Sequence, residues 1–182
     1  MRYVIIGASA AGTAAAKAIR QQDAQGEILL FGQDSQVYSR CQLHLVATGH
    51  REPERANFLP RNWAETYRVD LRLGSGIASV EPGDHVVRTT TGECVGYDRL
   101  LVATGSRTFF PPIPGLPGAR THGFRNRDDA LAIRNELPGA ERFVVIGAGL
   151  AGCELACELA GLGKRVALVE VAPYPLPLQL EG

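Results

Sequence analysis

Short apolar runs and glycine-rich turns set the pattern of this chain, and the pattern occurs twice. Tyr3-Val4-Ile5-Ile6 runs into Gly7-Ala8-Ser9-Ala10-Ala11-Gly12, and Phe143-Val144-Val145-Ile146 runs into Gly147-Ala148-Gly149-Leu150-Ala151-Gly152. Each turn leads into a stretch of good helix formers, Thr13 to Gln22 and Cys153 to Leu162. A second apolar run then closes on an acid: Ile28-Leu29-Leu30-Phe31 before Asp34, and Val166-Ala167-Leu168-Val169 before Glu170. Continuous apolar runs of this length predict strands buried on both faces of a parallel sheet. Both copies therefore read as β-α-β units.

Between the copies the period changes. Leu71 to Gly105 carries short strand-like segments broken by Glu81-Pro82-Gly83-Asp84, Thr91-Gly92 and Tyr97-Asp98, which predicts a small antiparallel meander. Leu100-Leu101-Val102-Ala103 reads as a buried strand entering Thr104-Gly105-Ser106, and Pro111 to Gly118 is the strongest breaker run and the linker. Asp128 to Leu137 predicts a short helix. The expected fold is α/β: a Rossmann-like doubly wound domain over 1–115 with a small antiparallel meander, then the first β-α-β of a second such domain over 116–182. A sheet that short leaves an edge and a face uncovered, so the chain from Phe143 onward is expected to be mobile, docked, or paired with a partner chain or second copy.

Composition narrows the class. The 19 Lys and Arg balance 19 Asp and Glu, so no basic field selects nucleic acid or an anionic membrane. Hydrophobic residues make up 45% of the chain, as in a globular protein. No apolar run approaches the ~20 residues that span a bilayer, and the N-terminal run is short for a signal peptide. Cys41, Cys94, Cys153 and Cys157 show no paired metal-binding spacing and are too sparse for a disulfide scaffold, which points to a reducing, cytoplasmic setting.

The glycine turns carry the chemistry. The first Gly permits the strand-to-helix turn, the second lets backbone approach a pyrophosphate, and the third packs helix on strand. Phosphates then rest on the amides of a helix N-terminus, and an acid about 20 residues on accepts from an adenosine ribose hydroxyl. Asp34 and Glu170 both fit that spacing, with Ser9 replacing the second Gly in the first copy. Two cradles imply two nucleotides, most simply FAD in the first and a nicotinamide dinucleotide in the second. A carboxylate at Glu170 favours NAD(H) over NADP(H), because it repels a 2′-phosphate. Lys164 and Arg165 precede the strand and are expected to be solvated charges.

Together with Tyr97 to Ser106 and Pro112-Ile113-Pro114-Gly115, these residues resemble the FAD-dependent pyridine nucleotide-disulfide oxidoreductase family. The resemblance implies that Gly7, Ala8, Ser9, Ala10, Ala11, Gly12, Asp34, Arg40, Ile77, Ala103, Thr104 and Gly105 surround FAD. It likewise implies that Gly147, Ala148, Gly149, Leu150, Ala151, Gly152, Glu154 and Glu170 surround NAD(H), with Glu154 near the nicotinamide. Family members run on past this chain's last residue, so 1–115 is read as an incomplete flavin domain and 116–182 as a truncated nicotinamide domain. Around Tyr38 to Leu45 two branches remain open. A redox cysteine at Cys41 matches the NADH oxidase and coenzyme A-disulfide reductase branch, whereas the ferredoxin- and rubredoxin-reductase-like branch has prolines there.

Cys41 follows a polar, basic stretch and opens a helix, two features that favour a reactive thiol, and Arg40 suits a phosphate. Cys153 and Cys157 share one helix face and are expected to pack as small apolar groups. His44 reads as a polar residue beside the flavin site, and His50, His85 and His122 sit in turns with no partner pattern. Phe58 and Trp63 are expected to pack under a loop. The resulting expectation is a flavoprotein oxidoreductase taking hydride from NAD(P)H and passing electrons to a disulfide, peroxide, dioxygen or small redox protein. The competing class is a non-catalytic flavin-binding module or inactive fragment.

Overall fold

The computed structural model describes residues 1–116, 120–176 and 179–180, so Pro117 and Gly118 of the expected linker lie outside the described residues. In chain order the elements begin β1 Arg2–Ile6, α1 Ala10–Gln22, β2 Glu27–Phe31, α2 Leu43–Ala47 and α3 Trp63–Thr66. The strands β3 Val69–Arg72, β4 Ile77–Glu81, β5 Val86–Thr89, β6 Cys94–Gly96 and β7 Arg99–Val102 follow. Last come α4 Arg127–Glu136, β8 Arg142–Ile146, α5 Leu150–Gly161 and β9 Arg165–Val169. The chain divides into two compact units, Met1–Ser39 with Asn57–Ser106 and Arg40–Ala56 with Arg107–Gly182.

The first unit is built on a parallel sheet of order β3-β2-β1-β7, in which Val4 pairs with Leu29 and with Leu100. Strand alternation splits the apolar runs between two cores. Val4, Ile6, Leu29 and Phe31 meet Val87 and Val95 of the antiparallel β4-β5-β6 meander. Ile5, Ile28 and Leu30 point the other way, onto Ala16 of α1, Trp63 of α3 and Val69. Both faces of β1 and β2 are thus covered, which is what their unbroken apolar sequence requires. The turn from α1 into β2 is closed by Asp23, whose carboxylate accepts the amides of Gln25 and Gly26 at 2.9 and 2.7 Å. Those backbone donors hold the Asp23 carboxyl below the usual carboxylate range.

In the second unit β8 and β9 form a parallel pair, with Val144 opposite Ala167, and α5 buries Leu155, Ala156 and Leu159. Helix α4 starts at a capping box in which Asn126 accepts from the Asp129 amide and Asp129 accepts from the Asn126 amide.

Several expectations are corrected. The meander spans only Ile77–Gly96, since Leu71 belongs to a strand parallel to β2 and β7 runs parallel to β1. Strand β7 is not buried: as the edge strand it leaves Leu101 and Val102 exposed. Strands β8 and β9 are not covered on both faces either, and Val144 is 66% exposed. Helices α1 and α5 begin three residues earlier than expected, because the last part of each glycine turn is already helical. Trp63 is buried but Phe58 is exposed, and Cys157 is exposed rather than packed. Lys164 is not a solvated charge: its Nζ donates to the Leu137 carbonyl at 2.9 Å and lies 3.6 Å from Glu141.

Candidate nucleotide-binding sites

The first glycine turn follows from three close approaches. Gly7 takes φ +115°, a left-handed value that L side chains rarely adopt, and its amide donates to the Phe31 carbonyl at 2.8 Å. A β-carbon at Gly7 would overlap the Ala103 carbonyl, and one at Gly12 would overlap the Gly7 carbonyl. Strand β1, helix α1 and the end of β7 can therefore converge only on glycines. Ser9 is the N-cap of α1, in extended backbone, with no side-chain hydrogen bond to the helix. The first-turn amides of Ala10, Ala11 and Gly12 have no acceptor within the helix, and the helix dipole makes this end attractive to anions.

Ala103 follows directly, its amide donating to the Ile6 carbonyl at 2.7 Å, and Thr104 and Gly105 are exposed beyond it. Asp34 is half-buried past β2, where its carbonyl accepts the Gly74 amide at 2.9 Å. Ser75 ties to the Gly32 carbonyl in the same way, and Ile77 then packs on the meander-facing core. Gly7 to Gly12, Asp34, Ile77 and Ala103 to Gly105 all lie in the first unit.

The second turn repeats the geometry. Gly147 has φ +100°, and its amide donates to the Val169 carbonyl at 2.8 Å. A β-carbon on Gly152 would overlap the Gly147 carbonyl. Gly149 is the extended N-cap of α5, and among the described residues a β-carbon there would meet nothing within 4 Å. Among the described residues the position before that helix N-terminus is open.

Glu170 does more than the spacing implied. Its Oε2 accepts the Ala148 amide at 2.7 Å, and its Oε1 accepts the Val171 and Ala172 amides at 2.7 and 3.1 Å. These backbone donors, Ala148 foremost, hold its carboxyl below the usual range. The acid at the end of β9 thereby ties down the glycine loop from within. Nothing in its sequence position signals that role, since the same spacing serves a ribose contact.

Glu154 is exposed on α5 with its Oε2 3.3 Å from His44 Nδ1. His50, expected to lack a partner, has its Nδ1 2.6 Å from Glu158 Oε2. Arg40 donates to the Arg125 carbonyl at 2.7 Å, and Cys41 is exposed in a 3-10 turn just before α2. Arg40 and Cys41 group with the second unit, not with the first glycine turn. Among the described residues no group of three or more His, Cys, Asp or Glu could hold a metal ion.

Residues 1–181 match the pattern of the family described as "Pyridine nucleotide-disulphide oxidoreductase". The chain belongs to that family. Members of the family are FAD-dependent NAD(H) oxidoreductases. Over 167 residues the chain is 35% identical to the biphenyl dioxygenase system ferredoxin–NAD(+) reductase component of Paraburkholderia xenovorans (strain LB400), covering 91% of this chain and 41% of that protein. It is 33% identical over 172 residues to the NADH-dependent phenylglyoxylate dehydrogenase subunit epsilon of Aromatoleum evansii, covering 94% and 41%. The structure of an NAD-dependent persulfide reductase from A. fulgidus superposes with TM-score 0.88 at 26% identity, over 100% of this chain and 36% of that one. The chain spans about two-fifths of the length of these curated relatives.

Proposed function

We propose that this chain supplies the two dinucleotide cradles of a flavoprotein that takes hydride from NAD(H) and passes electrons onward. The observation that carries the reading is the paired geometry. Gly7 and Gly147 turn at φ +115° and +100°, and Gly12 and Gly152 each close on the first glycine's carbonyl. Each turn ends at a helix N-terminus that accepts negative charge. Residues 1–115 form the flavin part, with Gly7–Gly12, Asp34, Ile77 and Ala103–Gly105 around FAD. Residues 116–182 open the nicotinamide part, with Gly147–Gly152, Glu154 and Glu170 around NAD(H). Bound flavin supplies two-electron chemistry, and the protein's part is to hold and orient the two cofactors.

Glu170, held ionised by three backbone amides, opposes a 2′-phosphate, which supports NAD(H) over NADP(H). Arg40 is proposed as a phosphate contact and the exposed Cys41 as a redox thiol. The P. xenovorans relative's name supports a small redox protein as electron acceptor. Four free cysteines support a reducing cytoplasm, and among the described residues no helix is long and apolar enough to cross a membrane. Anaerobic addition of NADH to the purified, flavin-loaded chain tests the reading. Faster bleaching of the flavin's visible absorbance with NADH than with NADPH is the expected result. A yellow sample indifferent to NADH identifies a flavin-binding module instead, and failure to retain flavin overturns the first cradle.

A further inference from the structure

Residues Arg40–Ala56 stand in sequence between β2 and α3, yet they group with the second unit. Within that unit α2 packs against both α4 and α5. On the α5 side two histidines meet two carboxylates. His44 Nδ1 lies 3.3 Å from Glu154 Oε2, and His50 Nδ1 lies 2.6 Å from Glu158 Oε2, to which Thr48 Oγ1 also donates at 3.3 Å. Glu154 and Glu158 are one helical turn apart and so share a face of α5. We propose that His44–Glu154 and His50–Glu158 form an acid-strengthened clasp that fastens residues 40–56, the segment carrying Cys41, to α5.

With its imidazole protonated, each histidine offers a cation to an ionised carboxylate; neutral, it keeps a hydrogen bond at most. Guanidinium and carboxylate groups stand on the same segment and on α4. Arg134 of α4 holds both oxygens of Glu52 at 3.2 and 3.0 Å, and its guanidinium lies beside Gly49. That guanidinium keeps the Glu52 carboxyl below the usual range, so this anchor persists as pH changes. Arg51 donates to the Arg55 carbonyl, Arg40 donates to the Arg125 carbonyl, and Glu54 lies in the 3-10 turn Pro53–Ala56. Guanidinium and carboxylate groups as classes keep their charge near neutral pH, whereas an imidazole gains or loses a proton there. The clasp is therefore stronger with the imidazoles protonated than with them neutral. Two partly exposed pairs acting together amount to a modest bias.

Hydrogen exchange on the full chain, without nucleotide, at pH 5.5 and 8.0 and corrected for intrinsic rates, tests the clasp. Residues 43–56 of the unaltered chain are expected to be about fivefold better protected at the lower pH. The Glu154→Gln/Glu158→Gln variant should lose that difference, with β1 and β2 in the same sample reporting an intact fold. Glu52→Gln should lower protection equally at both pH values. If the double variant loses β1 and β2 protection, Glu158→Gln alone carries the test and should shrink the pH step. A pH step that is absent from the unaltered chain, or survives unchanged in the variants, overturns the proposal. Because no cofactor is present, the outcome is independent of whether the glycine turns bind dinucleotides.

Discussion

At the scale of single residues, Glu170 shows how one side chain couples shape to charge. Three backbone amides converge on its carboxylate and lower its pKa, so the folded chain binds that proton less readily than the unfolded chain. A depressed folded pKa contributes stability that is present above the unfolded value, about 4.3, and is lost as pH falls through the folded one. Glu170→Gln keeps the size but removes the charge and one acceptor. The variant is expected to unfold at lower urea concentration than the unaltered chain at pH 7, with the gap closing as the pH is taken below about 4. Circular dichroism melts in urea at pH 7, 5 and 3.5 measure this. A gap that persists undiminished in acid would mean the side chain matters for its shape alone.

At the scale of elements, the β-α-β units owe their tightness to Gly12 and Gly152. In each unit the helix rests on the carbonyl of the glycine that ends the preceding strand, with no room for a methyl group. The obstacle is backbone rather than the end of a flexible side chain, so the cost cannot be relieved by a rotamer change. Gly12→Ala should cost about 2–3 kcal/mol. A thermal melt and flavin titration would show a lower Tm and weakened retention together. Unchanged values for both would mean that α1 can slide on β1.

These turns and the strands β1 and β2 were legible in the sequence, because glycine at a left-handed turn and unbroken apolar runs each have few alternative uses. Exposure was less legible. Val144 and Leu168 have the same apolar character as Val4 and Leu29, and only the number of neighbouring layers separates them. Lys164 departs from its expected exposure for a related reason: its acceptor, the Leu137 carbonyl, is fixed by how the chain folds back and not by nearby sequence. The pairing of His44 and His50 with α5 is likewise a long-range contact with no local signature.

For the whole molecule, this contrast in coverage sets an order of stability. In the first unit Val4, Ile5, Leu30 and Phe31 are at most 1% exposed, and the sheet carries packing on both faces. In the second, two strands stand with Val144 66% and Val169 49% exposed. Opening a region costs more when it uncovers more apolar surface, so the two sheets should not exchange their amides at one rate. At pH 7, Val4–Ile6 and Leu29–Phe31 are expected to exchange at least about 100-fold more slowly than Val144–Ile146 and Ala167–Val169. Mass-resolved hydrogen exchange on the intact chain reads both segments at once. Equal protection would mean that β8 and β9 are covered in solution by another surface. Dilution then separates the sources: cover by a second copy falls away with concentration, whereas cover from within the chain does not.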